Sequence, residues 1–141
     1  MNVMQDRNRK VIEDFRASRE KGMDPLDGRP VVLLTTTGAK SGKIYTTPVR
    51  AFFDGDTIYV IASKAGAPTH PDWYRNLVAH PEITVEVGKE TFKAQAVVAT
   101  GEERERLWAK AIATEPTFAE YQTKTTRQLP VVILERRQVS H

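Results

Sequence analysis

The chain contains no cysteine, which excludes disulfides, a thiol nucleophile and any thiolate metal site. It has no run of about 18 apolar residues, so no membrane-spanning helix is expected. The opening residues, MNVMQDRNRKVIEDF, lack the apolar stretch of a secretory signal. The expectation is a soluble, cytoplasmic protein. The usual catalytic signatures are missing too: HExxH, the GxSxG elbow, an EF-hand loop and the GxGxxG fingerprint. Ser18 and Lys21 stand at SxxK spacing without companion motifs, which reads as coincidence. His70 and His80 each precede a proline and have no spaced partner, so they read as turn residues and no metal site is expected.

What is present is ordinary in bulk. The 141 residues, 40% hydrophobic and 28% charged, suit one domain spanning 1–141. The 21 basic and 18 acidic residues give a net charge of only +3. Nucleic-acid binders concentrate a larger excess on one face. Here the local excess is at Lys40, Lys43, Arg50 and Lys64. That pattern favours a small anionic ligand over a nucleic acid.

Apolar spacing predicts a helix over about 6–21, with Val11, Ile12 and Phe15 on one face. Docking on a sheet is the simplest use of that stripe; a membrane-surface or lid role is the alternative. Gly22, Pro25 and Gly28 then make a loop. Strands follow at Val31–Thr36, Tyr45–Phe53 and Thr57–Ala62, the last two joined through Asp54-Gly55-Asp56. A helix begins near Pro71-Asp72, with Trp73, Tyr74, Leu77 and Val78 expected inside, and ends at His80-Pro81. Alternation at Ile83–Val87 and Phe92–Val98 predicts a second hairpin turning at Gly88-Lys89. Thr100 and Glu103 form a capping-box pattern before a helix through Ala113, with Leu107, Trp108, Ala111 and Ile112 inside. A short helix at 115–122 and a strand at Val131–Leu134 complete the chain. Six strands joined mostly by hairpins, with three or four helices, argue for an α+β fold around a mainly antiparallel sheet or small barrel.

The stretch Leu33–Arg50, LLTTTGAKSGKIYTTPVR, carries most of the chemical information. A strand runs into threonines, then into a loop with two glycines and two lysines, and the chain returns as a strand. Backbone N–H groups, hydroxyls and ammonium groups so close together suit a phosphate or carboxylate. A solvated basic hairpin is the bland alternative. A nucleotide P-loop is excluded: only three residues separate Gly38 and Gly42, and Ile44 follows Lys43 where a Ser or Thr should stand. A second loop, Ser63–Gly66, and the aromatics Trp73, Tyr74 and Tyr121 add donors and flat surfaces. Together they suit a planar heterocycle with an anionic tail. Without cysteine or a metal motif, redox chemistry would have to reside in a cofactor.

The segments LTTTGAKSGK, TTPV and ASKAGAPTHPDWYRNLVAHPEITVEV, in this order, resemble the deazaflavin (F420)-dependent nitroreductase family of split β-barrel proteins. The similarity covers about Val31 to Val132, leaving the N-terminal helix and loop, 1–28, outside it. The resemblance implies an FMN-binding split-barrel-like fold with peripheral helices. It also implies reduced coenzyme F420 as cofactor, and hydride transfer to a quinone, nitroaromatic or activated alkene. On the family's pattern Thr37, Lys40, Ser41 and Gly42 face the cofactor's phosphate or tail. Pro48 shapes the strand beneath the ring, and Ala62, Ser63, Lys64, Ala65 and Gly66 face ring edge and phosphate. Trp73, Tyr74 and Asn76 wall the pocket. Tyr121 or Ser63 would bond the reduced product or relay its proton. Where many relatives carry arginine this chain has Ala39 and Tyr45, and Arg50 and Lys43 are the cations that compensate. Phe118 and Lys124 stand where the nitroreductases place further aromatics. An FMN-dependent oxidoreductase and a non-catalytic deazaflavin or lipid carrier on the same fold are the alternatives, as monomer or homodimer.

Overall fold

The computed structural model describes residues 3–20, 31–88 and 90–137, with the side chains of 9–17 alone within the first helix and without that of Ala65. The expected loop at Gly22, Pro25 and Gly28 and the turn residue Lys89 lie outside the described residues, as do the side chains of the SxxK run. The elements are α1 (Val3–Glu20), β1 (Val31–Thr37), β2 (Ile44–Arg50), β3 (Phe52–Asp54) and β4 (Thr57–Ile61), then α2 (Asp72–Ala79). After them come β5 (Glu82–Val87), β6 (Glu90–Val98), α3 (Gly101–Thr114), α4 (Thr117–Thr123) and β7 (Val131–Arg136).

All seven strands form one antiparallel sheet in the order β2-β1-β5-β6-β7-β4-β3. The strand expected at Tyr45–Phe53 is thus two strands broken at Ala51, one pairing with β1 and the other with β4. The reason is closure. The two ends of the sheet order are halves of one chain run, so the sheet curls until its edges meet there. The fold is the α+β split barrel expected.

Alternation sorts the strands into two apolar clusters. Val32, Leu34, Ala51, Val60, Ile83, Val85, Ala94, Val132 and Leu134 fill the barrel interior. Leu77 of α2 joins that interior, with Trp73 and Tyr74 packed against it, so α2 plugs one barrel end. Phe52, Tyr59, Ile61 and Val131 face outward and are covered by Leu107 and Ala111 of α3 and Phe118 of α4. Asp54 at the β3 end receives both Arg106 and Lys110 of α3, and those two cations hold its carboxyl below the usual carboxylate range. The first helix docks as its stripe suggests: Phe15 is buried, and Arg16 makes a two-point contact to Glu86 of β5 at 3.2 and 2.8 Å.

Two further expectations fail. Val78 is 56% exposed, and Asn76 takes the buried place instead. The amide can do so because both its ends find partners on the first loop and its strand. Thr100 occupies the N-cap of α3 but makes no side-chain cap bond. Gly101 opens that helix at φ +59°, and Glu102 and Glu103 contribute through the helix dipole rather than through a capping box.

Candidate active site

The first loop is a tight basic hairpin. Gly38 N–H donates to Lys43 O at 2.7 Å, Gly42 N–H to Gly38 O at 3.0 Å, and Lys43 N–H to Ser41 Oγ at 3.2 Å. Gly42 takes φ +71°, where a side chain is strained. A Cβ on Gly38 would meet Ser41 Oγ at 2.5 Å, so the turn has no room for one. Asn76 fixes the loop from beneath: its Oδ1 accepts Ala39 N–H at 3.0 Å and its Nδ2 donates to Thr36 Oγ1 at 3.2 Å. The ammonium groups of Lys40 and Lys43 and the N–H groups of Lys40 and Ser41 are left over. None has a partner among the described residues.

The second loop presents donors by a different device. Ser63 is right-handed helical (φ −84°, ψ −40°) and Lys64 follows at φ +47°. A left-handed non-glycine residue costs about 1–2 kcal/mol. The gain is a backbone nest, in which successive N–H groups converge on one point and attract an anion. Arg127 enforces it. Its Nε donates to Ala67 O at 2.9 Å, Nη1 to Ala62 O at 3.0 Å and Nη2 to Ser63 O at 2.7 Å, while Nη1 also lies 3.1 Å from His70 Nδ1. In a trans peptide the carbonyl and the following N–H point opposite ways. Gripping Ser63 O therefore turns Lys64 N–H away from Arg127, and that N–H has no partner among the described residues. Lys64 Nζ rests on Thr69 Oγ1 at 3.2 Å. Burial, then Arg127 and Arg75, push His70 below its usual range. Its Nδ1 accepts from Arg127 in the neutral form.

Between the loops runs an outward row on one bent strand. Val49 and Ala51 point into the barrel, so Thr46, Pro48, Arg50 and Phe52 point out. The row spans about 20 Å at ~3.3 Å per residue. Phe52 meets Phe118 edge-on at 5.2 Å, Phe118 meets Tyr121 at 5.5 Å, and Lys124 Nζ sits 5.8 Å from the Tyr121 ring centre. The row thus begins at the first loop and ends in an aromatic wall. That wall abuts the second loop, for a Cβ on Gly66 (φ +82°) would lie 2.7 Å from Tyr121 O. Arg50 stands within the row, 3.4 Å from Glu115, with its buried Nε unpartnered.

Comparison with known proteins fits this geometry. The family model F420H(2)-dependent quinone reductase matches residues 7–136. The chain belongs to the F420H(2)-dependent quinone reductase family. It is 39% identical over 111 residues to the F420H(2)-dependent quinone reductase Rv1261c of Mycobacterium tuberculosis (strain ATCC 25618 / H37Rv), covering 77% of this chain and 74% of that protein. A solved F420-H2 dependent reductase, FDR-A, is 45% identical with a TM-score of 0.69, over 76% of this chain and 95% of that one. A second solved structure, named only as a domain-swapped dimer, is 42% identical with a TM-score of 0.73, over 89% of this chain and 96% of that one. This quinone reductase family member is an F420H2-dependent oxidoreductase, and reduced F420 is its hydride donor. The residues present suit such a group: two unpartnered donor clusters for an anionic tail, and an aromatic wall for a ring.

The structure brings together most of the residues expected at the site. Lys40, Ser41 and Gly42 lie exposed on the first loop, and Thr37 ends β1 beside it. Ser63, Lys64, Ala65 and Gly66 form the second, with the Ala62 side chain fully buried before it. Pro48 and Arg50 share the outward row. Trp73 and Tyr74 are half-buried against the barrel interior, Tyr74 meeting His70 at a tilt with ring centres 4.7 Å apart. Asn76 is the loop fastener, and its two bonded amide ends leave it little to offer a ligand. Sequence reasoning missed Arg127 and Glu115, which have no local pattern. A cavity of about 620 Å³ at Ala99–Gly101, Arg104 and Gln128 is lined by neither loop.

Proposed function

We propose that this enzyme reduces a quinone, with the anionic part of F420 at the two loops and its ring against the aromatic wall of Phe118 and Tyr121. One observation carries the reading: two donor clusters without partners are fastened to the same short helix, α2. Asn76 of α2 holds the first loop, and the second loop leads into the helix through His70 and Pro71. When bound, reduced F420 supplies a hydride. The chain's tasks are to bind, to orient and to move a proton.

Lys40, Lys43 and the N–H groups of Lys40 and Ser41 take one part of the polyanion, and the Lys64–Ala65 nest takes a phosphate. Tyr121 and Ser63 stand nearest the end where the ring would rest. No partner occupies Ser63 Oγ among the described residues. Either hydroxyl can deliver a proton to a reduced product. Nitroaromatics and activated alkenes are further electrophiles for the same geometry.

The test is a fluorescence titration with F420 and with FMN side by side, followed by turnover of reduced F420 on menadione. Lys40→Ala and Lys64→Ala should each weaken F420 binding by about 1.5–3 kcal/mol, as for a lost hydrogen bond to a charged group. Tight FMN binding with no response to F420, or wild-type binding without oxidation on menadione, would refute the reading.

A further inference from the structure

Arg50 is the cation the two loops do not explain. It stands seven residues beyond Lys43 on a continuous strand run, roughly 23 Å at ~3.3 Å per residue. It is therefore at the opposite end of the row from the first loop's lysines. Its surroundings are aromatic: its Cζ lies 5.8 Å from the Phe52 ring centre, and Phe118 and Tyr121 follow in sequence of ring contacts. Its Nε is buried without any hydrogen-bond partner. A buried donor left unpaired is disfavoured unless something else fills it in the working state. The charge opposite it among the described residues, Glu115, is 3.4 Å away, too long for a strong charge-assisted bond, and one Glu115 oxygen already accepts Thr117 Oγ1 at 3.2 Å. Arg50 is thus a held but under-bonded guanidinium beside a flat apolar surface.

We propose that Arg50 binds the oxygen of the acceptor, which deepens the quinone reading and rests on it. A quinone is a planar ring with a carbonyl oxygen at each end, matching an aromatic wall with a donor at its edge. In the reaction the quinone accepts a hydride, two electrons with one proton. A C–H bond of the donor breaks, and a new bond to hydrogen forms on the acceptor. The oxygen that gains the electron pair becomes a hydroquinone anion. One proton then neutralises it, matched by the one released to water as the cofactor is oxidised, so one quinone gives one hydroquinone. A guanidinium with a free N–H at that oxygen favours the anion over the ground-state carbonyl, which lowers the barrier.

Arg50→Met, Arg50→Lys and Glu115→Gln test this, with menadione as the acceptor and separate KM values for menadione and reduced F420. Arg50→Met should lower kcat/KM for menadione on the order of 100-fold, the scale of one lost oxyanion donor. Its F420 affinity by fluorescence should stay within about threefold of wild type, and Arg50→Lys should recover about tenfold of the loss. Glu115→Gln, which keeps the guanidinium and removes its competitor, should leave menadione turnover at least at the wild-type rate. Loss of F420 affinity in Arg50→Met would make Arg50 a cofactor contact and overturn the proposal. Equal loss in Glu115→Gln would make the ion pair structural, with the same result. Wild type that binds F420 but does not oxidise it on menadione would instead sink the quinone reading itself.

Discussion

The two donor loops differ in what holds them. One neutral amide, Asn76, fastens the first loop through a single backbone N–H and a neighbouring threonine. One guanidinium, Arg127, fastens the second through three carbonyls and a histidine. The first loop gets its curvature from glycine at φ +71°, which is relaxed there, and presents its charge on exposed lysines. The second forces a lysine to φ +47° and presents backbone N–H groups. A fixed nest cannot rearrange, so it suits a group of constant shape such as a phosphate. Exposed ammonium groups on long stems suit a tail of variable length and position.

The largest effect should come from removing the second loop's clamp. Arg127→Met leaves the carbonyls of Ala62, Ser63 and Ala67 without their donor, at about 1–3 kcal/mol for each one that water does not reach. Stability should fall by roughly 3 kcal/mol, and F420 affinity by on the order of 100-fold as the nest relaxes. Chemical denaturation and the fluorescence titration read the two separately. Unchanged affinity in a folded variant would show that the nest forms without Arg127. Asn76→Ala should cost less, about 1–2 kcal/mol of stability, because two neutral bonds are lost and the loop's own turn bonds survive. Affinity in that variant should become more salt-dependent, since what remains is screened attraction to exposed lysines with a Debye length of about 8 Å at physiological salt. A salt series on both variants checks the contrast.

Smaller effects separate backbone from charge within the second loop. Lys64→Ala removes the ammonium group and keeps the strain, whereas Lys64→Gly removes both. The glycine variant should therefore be the more stable of the two by about 1 kcal/mol in thermal unfolding. If F420 affinity is equal in the two variants, the side chain matters to binding only through its charge. If the glycine variant binds more weakly than the alanine variant, the strained backbone is itself part of the phosphate site.

Legibility in the sequence tracks how local each feature's cause is. The strands alternate and the Asp54-Gly55-Asp56 turn joins β3 to β4 as expected, because both signals lie within a few residues. The first loop was legible for the same reason. The break at Ala51 was not, since it arises from two strands some distance apart each claiming half of one run. Asn76 and Val78 illustrate the same limit. Hydrophobicity favours Val78 inside, but the partners that make Asn76 the better buried residue are Thr36 and Ala39 on another element. Arg127 lies in the polar stretch Thr123–Gln128, which has no periodicity, and all four contacts of its guanidinium are on residues 62–70. The resemblance supplied the expectation for what the loops do, and only the fold supplied what holds them.

His70 gives the finest test of the difference, because the first loop has no titrating fastener. Burial, Arg127 and Arg75 place its pKa below the ordinary 6.5. A depressed pKa in the folded state means its contribution is present above the unfolded value and is lost as pH falls through the folded one. Protonated Nδ1 cannot accept from Arg127 Nη1, and two cations then face each other 3.1 Å apart. Lowering the pH from neutral into the acidic range should therefore loosen the second loop and weaken F420 binding, while the Asn76 bonds to the first loop stay intact. His70→Gln, whose amide oxygen can accept from Arg127 at any pH, should flatten that part of the profile. A binding curve for His70→Gln that falls in acid as steeply as wild type would assign the pH dependence to the ligand and leave His70 as packing against Tyr74.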